Sequence, residues 1–134
     1  MKQLLLICAV VVGQSVLAAD KKPLTKEESA KIIETAIRRE LNKPTGELTE
    51  ADLEKVTELV LSENQLTDVK GLEKLTQLKR LDLYGNQLTD VKGLEKLTQL
   101  KGLDLRGNPD LTKTQIAELK KALPNCGIIS TPKK

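Results

Sequence analysis

The chain has 134 residues, with 22 Lys+Arg against 19 Asp+Glu, a net charge of +3, no His, Trp or Phe, and one Tyr. The two signs of charge are interspersed, which excludes the basic stripe of a nucleic-acid binder. Without histidine the commonest general base is missing, and a core almost free of aromatic residues has to be built from many aliphatic ones.

At the start, Lys2 precedes the apolar run Leu4–Val12, followed by Gly13-Gln14-Ser15 and Val16-Leu17-Ala18. A charged start, a short apolar middle and small residues before a break read as a secretory signal peptide over residues 1–18, cut after Ala18, with Ala19 as the second choice. The run is shorter than the roughly 20 residues a membrane span needs, so no membrane insertion is expected once the signal is removed. Cys8 belongs to that signal. The remaining chain is one domain in size. Removing Lys2 from the 22 Lys+Arg leaves 21 against 19 Asp+Glu, a net +2. Cys126 is then the single cysteine, and an intramolecular disulfide is ruled out.

Residues 19–55 read as a linker and helical cap. Thr25 with Glu28 three residues on is a capping box. Ile32, Ile33, Ala36, Ile37 and Leu41 follow on one face of a helix over about 26–41. The stretch from Asn42 to Gly46 breaks it, and Leu48 to Leu53 begins a second short turn that runs into Val56.

From there the chain copies itself. Residues 64–85 and 86–107 differ at two positions: Arg80 becomes Gly102, and Tyr84 becomes Arg106. Aligned on Asn64, Asn86 and Asn108, the units begin VTELVLSENQL, LKRLDLYGNQL and LKGLDLRGNPD, an LxxLxLxxN pattern at a period of 22. Alternation holds only over Leu59-Val60-Leu61, Leu81-Asp82-Leu83 and Leu103-Asp104-Leu105, each a short strand with leucines inward. No single unit can bury its leucines, but stacking in register buries them in one column and forms a parallel sheet. The asparagine amides are placed to bond turn backbone, and Leu66, Val69, Leu72 and Leu75, with their copies Leu88, Val91, Leu94 and Leu97, line the return path. Asp68 and Asp90 are expected to cap its helical turns. In the third unit Thr112 and Gln115 form another capping box, and Ile116, Leu119 and Leu123 predict a helix near 113–122. Leu123-Pro-Asn-Cys126-Gly-Ile128 repeats LxxLxL with Cys126 at a leucine position, 23 residues after Leu103. This predicts a fourth strand with Cys126 as a small buried hydrophobe. Residues 56–129 form the repeat domain and 130–134 a loose tail.

The LxxLxLxxN repeat resembles the leucine-rich repeat family. The 22-residue units are similar to bacterial internalin repeats over about residues 30–107, while the longer last unit ending in LPNC is similar to ribonuclease-inhibitor repeats. The resemblance implies an α/β solenoid with a concave parallel sheet of about four strands, an N-terminal helical cap and a C-terminal helix on the convex side. It also implies a bacterial source. The long arrays and immunoglobulin-like domain of internalins lie outside this sequence, so their host-receptor function is not implied.

The outward positions of the strands are Glu58, Val60 and Ser62, then Arg80, Asp82 and Tyr84, then Gly102, Asp104 and Arg106. Both differences between the copies fall in this set. With about half the repeat free to vary, that happens by chance roughly one time in twenty. Tyr and Arg are types enriched at binding hot spots. The nine positions are therefore the expected partner-binding set for a protein or peptide. Asp82 and Asp104 should lie side by side, with Arg80 and Arg106 diagonal to them and able to neutralise them. Two carboxylates fall short of the six or more oxygens calcium takes, so neither metal nor cofactor is expected. Four strands give a face about 15 Å wide, below the roughly 800 Å² per partner of a standard interface. Weak or short-peptide binding follows, and tight binding would require self-association or further surfaces. The sequence thus reads as an exported, periplasmic or secreted binding module and not as an enzyme. Its alternative is a structural or self-assembling envelope component.

Overall fold

A computed structural model describes residues 24–131. The expected signal peptide and most of the expected tail lie outside the described residues. In chain order the elements are helices α1 (Lys26–Leu41) and α2 (Glu50–Leu53), strand β1 (Glu58–Val60), a 3-10 turn at Leu72–Lys74, and strand β2 (Arg80–Asp82). A second 3-10 turn at Leu94–Lys96, strand β3 (Gly102–Leu105), helix α3 (Lys113–Ala122) and strand β4 (Gly127–Ser130) follow. The four strands form one parallel sheet in the order β1-β2-β3-β4.

The period of 22 residues becomes a register. Leu59 pairs with Leu81 and Leu81 with Leu103, and all three side chains are buried, as are Leu61, Leu83 and Leu105. Behind them Leu66, Leu88 and Leu111 form the next column, and the leucines of the 3-10 turns close the core from the far side. Each buried leucine contributes roughly 2 kcal/mol relative to exposure. That gain exists only because a neighbouring turn covers it, so the stack is the smallest stable unit.

Asn86 and Asn108 satisfy the backbone between those columns. Asn86 Oδ1 accepts from the amides of Asn64 (3.0 Å) and Leu66 (2.9 Å), while its Nδ2 donates to the carbonyls of Leu61 and Leu83, both at 3.0 Å. Asn108 repeats this one unit on, accepting from Leu88 and donating to Leu83 and Leu105. The aspartates behave differently from expectation. Asp68 and Asp90 accept from the amides of Lys70 and Lys92, making Asx turns upstream of the 3-10 turns. Those turns start at Gly71 and Gly93 without a side-chain cap. The two extra residues between aspartate and turn put the carboxylate out of reach of the orphan amides.

The N-terminal cap forms for the reasons its sequence states. Thr25 and Glu28 make the capping box of α1, and Asn42 ends the helix in the left-handed conformation. Its inner face buries Ile33, Ala36 and Ile37, and α1 packs on β1. Ser29, also buried, accepts from the Thr67 amide at 3.2 Å, so a helix side chain takes over part of the backbone pairing at the first unit. Below α1, Arg38 donates to the carbonyls of Lys43 and Gly46, and Lys43 pairs with Asp52 at 2.7 Å.

The last strand corrects the sequence reading. Gly102 pairs with Gly127, Leu103 with Ile128 and Asp104 with Ile129, so the offset is two residues longer than the expected one. Cys126 therefore does not stand under Leu103. It sits before the strand, half-buried, and burial raises its thiol pKa. The physical reason is that α3, a full helix of 10 residues, replaces a 3-10 turn and brings the chain back through a longer turn at Leu123–Cys126.

A candidate binding face on the concave sheet

Strand alternation turns every second residue away from the core, and parallel pairing lines those residues up across the sheet. One row runs Glu58–Arg80–Gly102–Gly127 and the next runs Val60–Asp82–Asp104–Ile129. A third row, Ser62–Tyr84–Arg106, follows at the strand ends, where the Glu63 amide donates to the Tyr84 carbonyl and the Gly85 amide to the Arg106 carbonyl. All nine positions expected from the sequence thus share one face. Six of them (Glu58, Val60, Arg80, Asp82, Gly102 and Asp104) line a shallow hollow of about 350 Å³. Ser62, Tyr84 and Arg106 stand along its rim.

The sequence reading missed Gly127 and Ile129, which line the same hollow, because the assumed register was two residues off. The signal was present: GLDL over GIIS aligns glycine with glycine, Leu103 with Ile128 and Asp104 with Ile129. Val60 at 66% exposure and Ile129 at 53% are the most exposed large hydrophobics of the described residues, and they sit at opposite ends of one row.

The electrostatics also differ from expectation. Asp82 and Asp104 are side by side as read; across the diagonal Arg106 attracts Asp82 through space without a hydrogen bond, and its direct partner lies on its own strand. Arg106 folds back along its own strand onto Asp104, donating from Nε to Oδ1 at 3.0 Å and from Nη2 to Oδ2 at 2.7 Å. This bidentate hydrogen bonding is the main reason the Asp104 carboxyl is held below its ordinary pKa, and the Arg106 guanidinium is raised in turn. Each aspartate also accepts from a backbone amide two residues on, Tyr84 for Asp82 and Arg106 for Asp104. These are Asx turns that bend the strand ends. Arg106 lies 5.6 Å from the centre of the Tyr84 ring, a cation–π distance. The Arg80 side chain forms no hydrogen bond or ion pair with another described residue, and its backbone amide donates to the Thr57 carbonyl at 3.1 Å.

The rim is shaped by backbone conformation. Gly85 (φ 70) and Gly107 (φ 75) occupy the left-handed region where the chain leaves the strand, and Glu63 (φ 55) holds that position in the first unit. A Cβ on Gly107 would lie 3.0 Å from the Gly85 amide nitrogen, so close stacking of the turns demands glycine there. The described residues contain no group of three or more His, Cys, Asp or Glu side chains able to hold a metal. No helix among them is long and apolar enough to cross a membrane.

A family model described as Leucine Rich repeats (2 copies) matches residues 54–96 and again 76–125, together more than half of the chain. Among solved structures the chain is similar to an internalin (inlF) from Listeria monocytogenes, with 28% identity and a TM-score of 0.63 over 73% of this chain and 28% of that one. It is also similar to a leucine-rich repeat protein from Leptospira interrogans, with 35% identity and a TM-score of 0.52 over 57% of this chain and 20% of that one. Internalin C2 from Listeria monocytogenes, at 24% identity and a TM-score of 0.63 over 77% of this chain and 56% of that one, shares the fold. No curated protein sequence gives a significant match. The first two structures are far longer than this chain, which spans between a fifth and a third of each. The chain belongs to the leucine-rich repeat family, and its repeats are internalin-like.

Proposed function

We propose that this protein is an exported, non-catalytic module that binds a protein or peptide through its concave face. The observation that carries the reading is the placement of the two changes between otherwise identical units. Arg80/Gly102 lies on the sheet and Tyr84/Arg106 just beyond the strand ends on the same face, while every buried residue of the unit is copied unchanged. Exposed positions elsewhere in the unit, such as Lys74/Lys96, Gln77/Gln99 and Lys79/Lys101, are copied unchanged, whereas drift over all the free surface would have spread the changes. Export rests on the Lys2, Leu4–Val12 and Val16–Ala18 pattern and agrees with the likeness to bacterial internalins. The non-catalytic reading rests on the absent histidine and on a half-buried thiol whose raised pKa disfavours the reactive thiolate.

The test compares partners captured from envelope extract by the wild-type chain and by an Arg80→Ala/Tyr84→Ala/Arg106→Ala variant. Loss of at least one wild-type partner is expected, and identical sets would defeat the concave-face reading. A second reading, a self-assembling envelope component, draws on the outer edge of β4, which pairs with no further strand among the described residues, and on its exposed Ile129. Static light scattering separates the two, because a mass independent of concentration eliminates assembly.

A further inference from the structure

The concave hollow has an uneven floor. Arg80 and then two glycines, Gly102 and Gly127, follow each other across neighbouring strands in one row. A Cβ built on Gly102 would meet nothing within 4 Å, and one on Gly127 would meet only the Lys101 carbonyl at 3.6 Å. Neither glycine has the positive φ that would require it. Glycine inside a strand weakens the sheet and marks a site where another group approaches closely. Here two of them adjoin, and the bare peptide planes are walled by Ile129 on one side and Arg80 on the other.

Elsewhere on the same face an arginine is matched with a ring. Arg106 lies 5.6 Å from the centre of Tyr84, and the ring edge comes within 3.8 Å of where a Gly107 Cβ would be. Aromatic ring, arginine and glycine form a set there. At Arg80 the glycines and the cation are present and the ring is not, in a chain whose single aromatic residue is already used. An aromatic ring lying over glycine in a neighbouring strand restores the packing that the missing side chain leaves open, and its negative face meets an arginine.

We infer that the hollow over Gly102 and Gly127 is a subsite for an aromatic side chain carried by an extended peptide segment of the partner, stacked against Arg80 and Ile129. The inference rests on the concave-face reading and adds the chemistry of the residue recognised. Arg80 positions the ring through its guanidinium, and the glycines set the depth by leaving the peptide planes uncovered.

The test pans a phage-displayed random heptapeptide library on the wild-type chain, on Gly102→Val, and on the Arg80→Ala/Tyr84→Ala/Arg106→Ala variant. Valine fits the open space and favours the strand, so Gly102→Val is expected to fold with stability at least equal to wild type, checked by urea denaturation. Peptides lost on the triple variant should carry Trp, Tyr or Phe at one fixed position, should bind Gly102→Val at least ~10-fold more weakly, and should lose about 3-fold on Arg80→Ala, the size of an exposed cation–π contact. Peptides that depend on the concave face but lack an aromatic residue, or bind Gly102→Val equally well, overturn the aromatic subsite and leave concave-face binding standing. If the triple variant loses no peptide, both fall.

Discussion

The two ends of the stack solve the same problem differently. At the first unit α1 lies over the open core, so Leu59 and Leu61 are buried as fully as the leucines of the middle unit. Ser29 from the helix joins the backbone pairing as well. At the last unit β4 ends the sheet with Ile128 half-buried and Ile129 exposed. A solenoid is held together by contacts between neighbours, so an end with a cap is nearly an interior and an end without one is a surface. The difference teaches where stability sits. The capped end buries its inward leucines and the last strand leaves the inward Ile128 half-covered, while outward apolar residues, Val60 and Ile129, are exposed at both ends.

The asparagine ladder gives the largest contrast between an interior unit and an end. Asn86 bonds four buried or part-buried backbone groups at 3.0 Å or less and the Tyr84 carbonyl at 3.5 Å, whereas the Asn64 side chain, with no unit before it, donates only to the Ser62 carbonyl among the described residues. Asn86→Ala should destabilise by about 4 kcal/mol, near 1 for each group stranded without a partner. Asn64→Ala should cost under about 1 kcal/mol. Urea denaturation of both variants measures the ratio, and equal losses would show that the ladder does not act as a stack.

The hydrophobic ends come next. Ile37 on α1 is 4% exposed, and Ile37→Ala should cost about 3 kcal/mol through a cavity at the capped end. Ile129→Ala removes little buried area and should fall within about 0.5 kcal/mol of wild type. A comparable loss at both sites would mean that the β4 end is covered in solution, which is also what the self-assembly reading requires.

Much of this asymmetry was legible in the sequence. Capping boxes at Thr25 and Thr112, the helices they start and the inward leucines all follow from local patterns whose partners lie within a turn or at a fixed repeat. What failed was whatever depended on a chain length between elements. The register of β4 was misread because α3 and its exit turn lengthen the last unit, and that error hid Gly127 and Ile129 from the candidate face. The misplaced role of Asp68 and Asp90 has a similar origin, two residues too far from the helical turn. The pairing of Arg106 with Asp104 was invisible for another reason. A long side chain can reach several carboxylates, and only the strand's own geometry makes the one two residues back the nearest.

A smaller effect concerns backbone strain in the first unit. Glu63 adopts φ 55 where the later units have glycine, a conformation that costs a residue with a Cβ about 1 kcal/mol. Glu63→Gly should therefore stabilise by at most about 1 kcal/mol, offset in part by the freer unfolded chain. Gly107→Ala should destabilise by more than that, because its Cβ would press on the Gly85 backbone. Thermal denaturation of the pair tests the sign at each site, and a destabilised Glu63→Gly would show that the Glu63 side chain has packing value that outweighs its strain.

The smallest effect is acid sensitivity centred on the capped end, where the Asp52 carboxyl is the most strongly lowered, with Asp104 on β3 shifted in the same direction. Asp52 accepts from Lys43 at 2.7 Å and from the Thr49 amide, and these bonds, the one from Lys43 foremost, lower its pKa from 3.8 to about 2. A carboxyl with a lower pKa in the folded state contributes stability at pH values above its unfolded pKa and loses it as pH falls through the folded one. The Lys43–Asp52 contribution should thus be complete above about pH 4 and fade toward pH 2. Since the pair ties the segment after α1 to α2, its protonation should loosen the cap before the inner strands. Hydrogen exchange at pH 3 and below should show amides of α1 and α2 losing protection ahead of β2 and β3, and Asp52→Asn should remove most of that pH dependence while lowering stability at pH 7. Uniform loss of protection along the stack would instead mean that cap and repeats open as one unit, and the distinction between the two ends would be one of exposure alone.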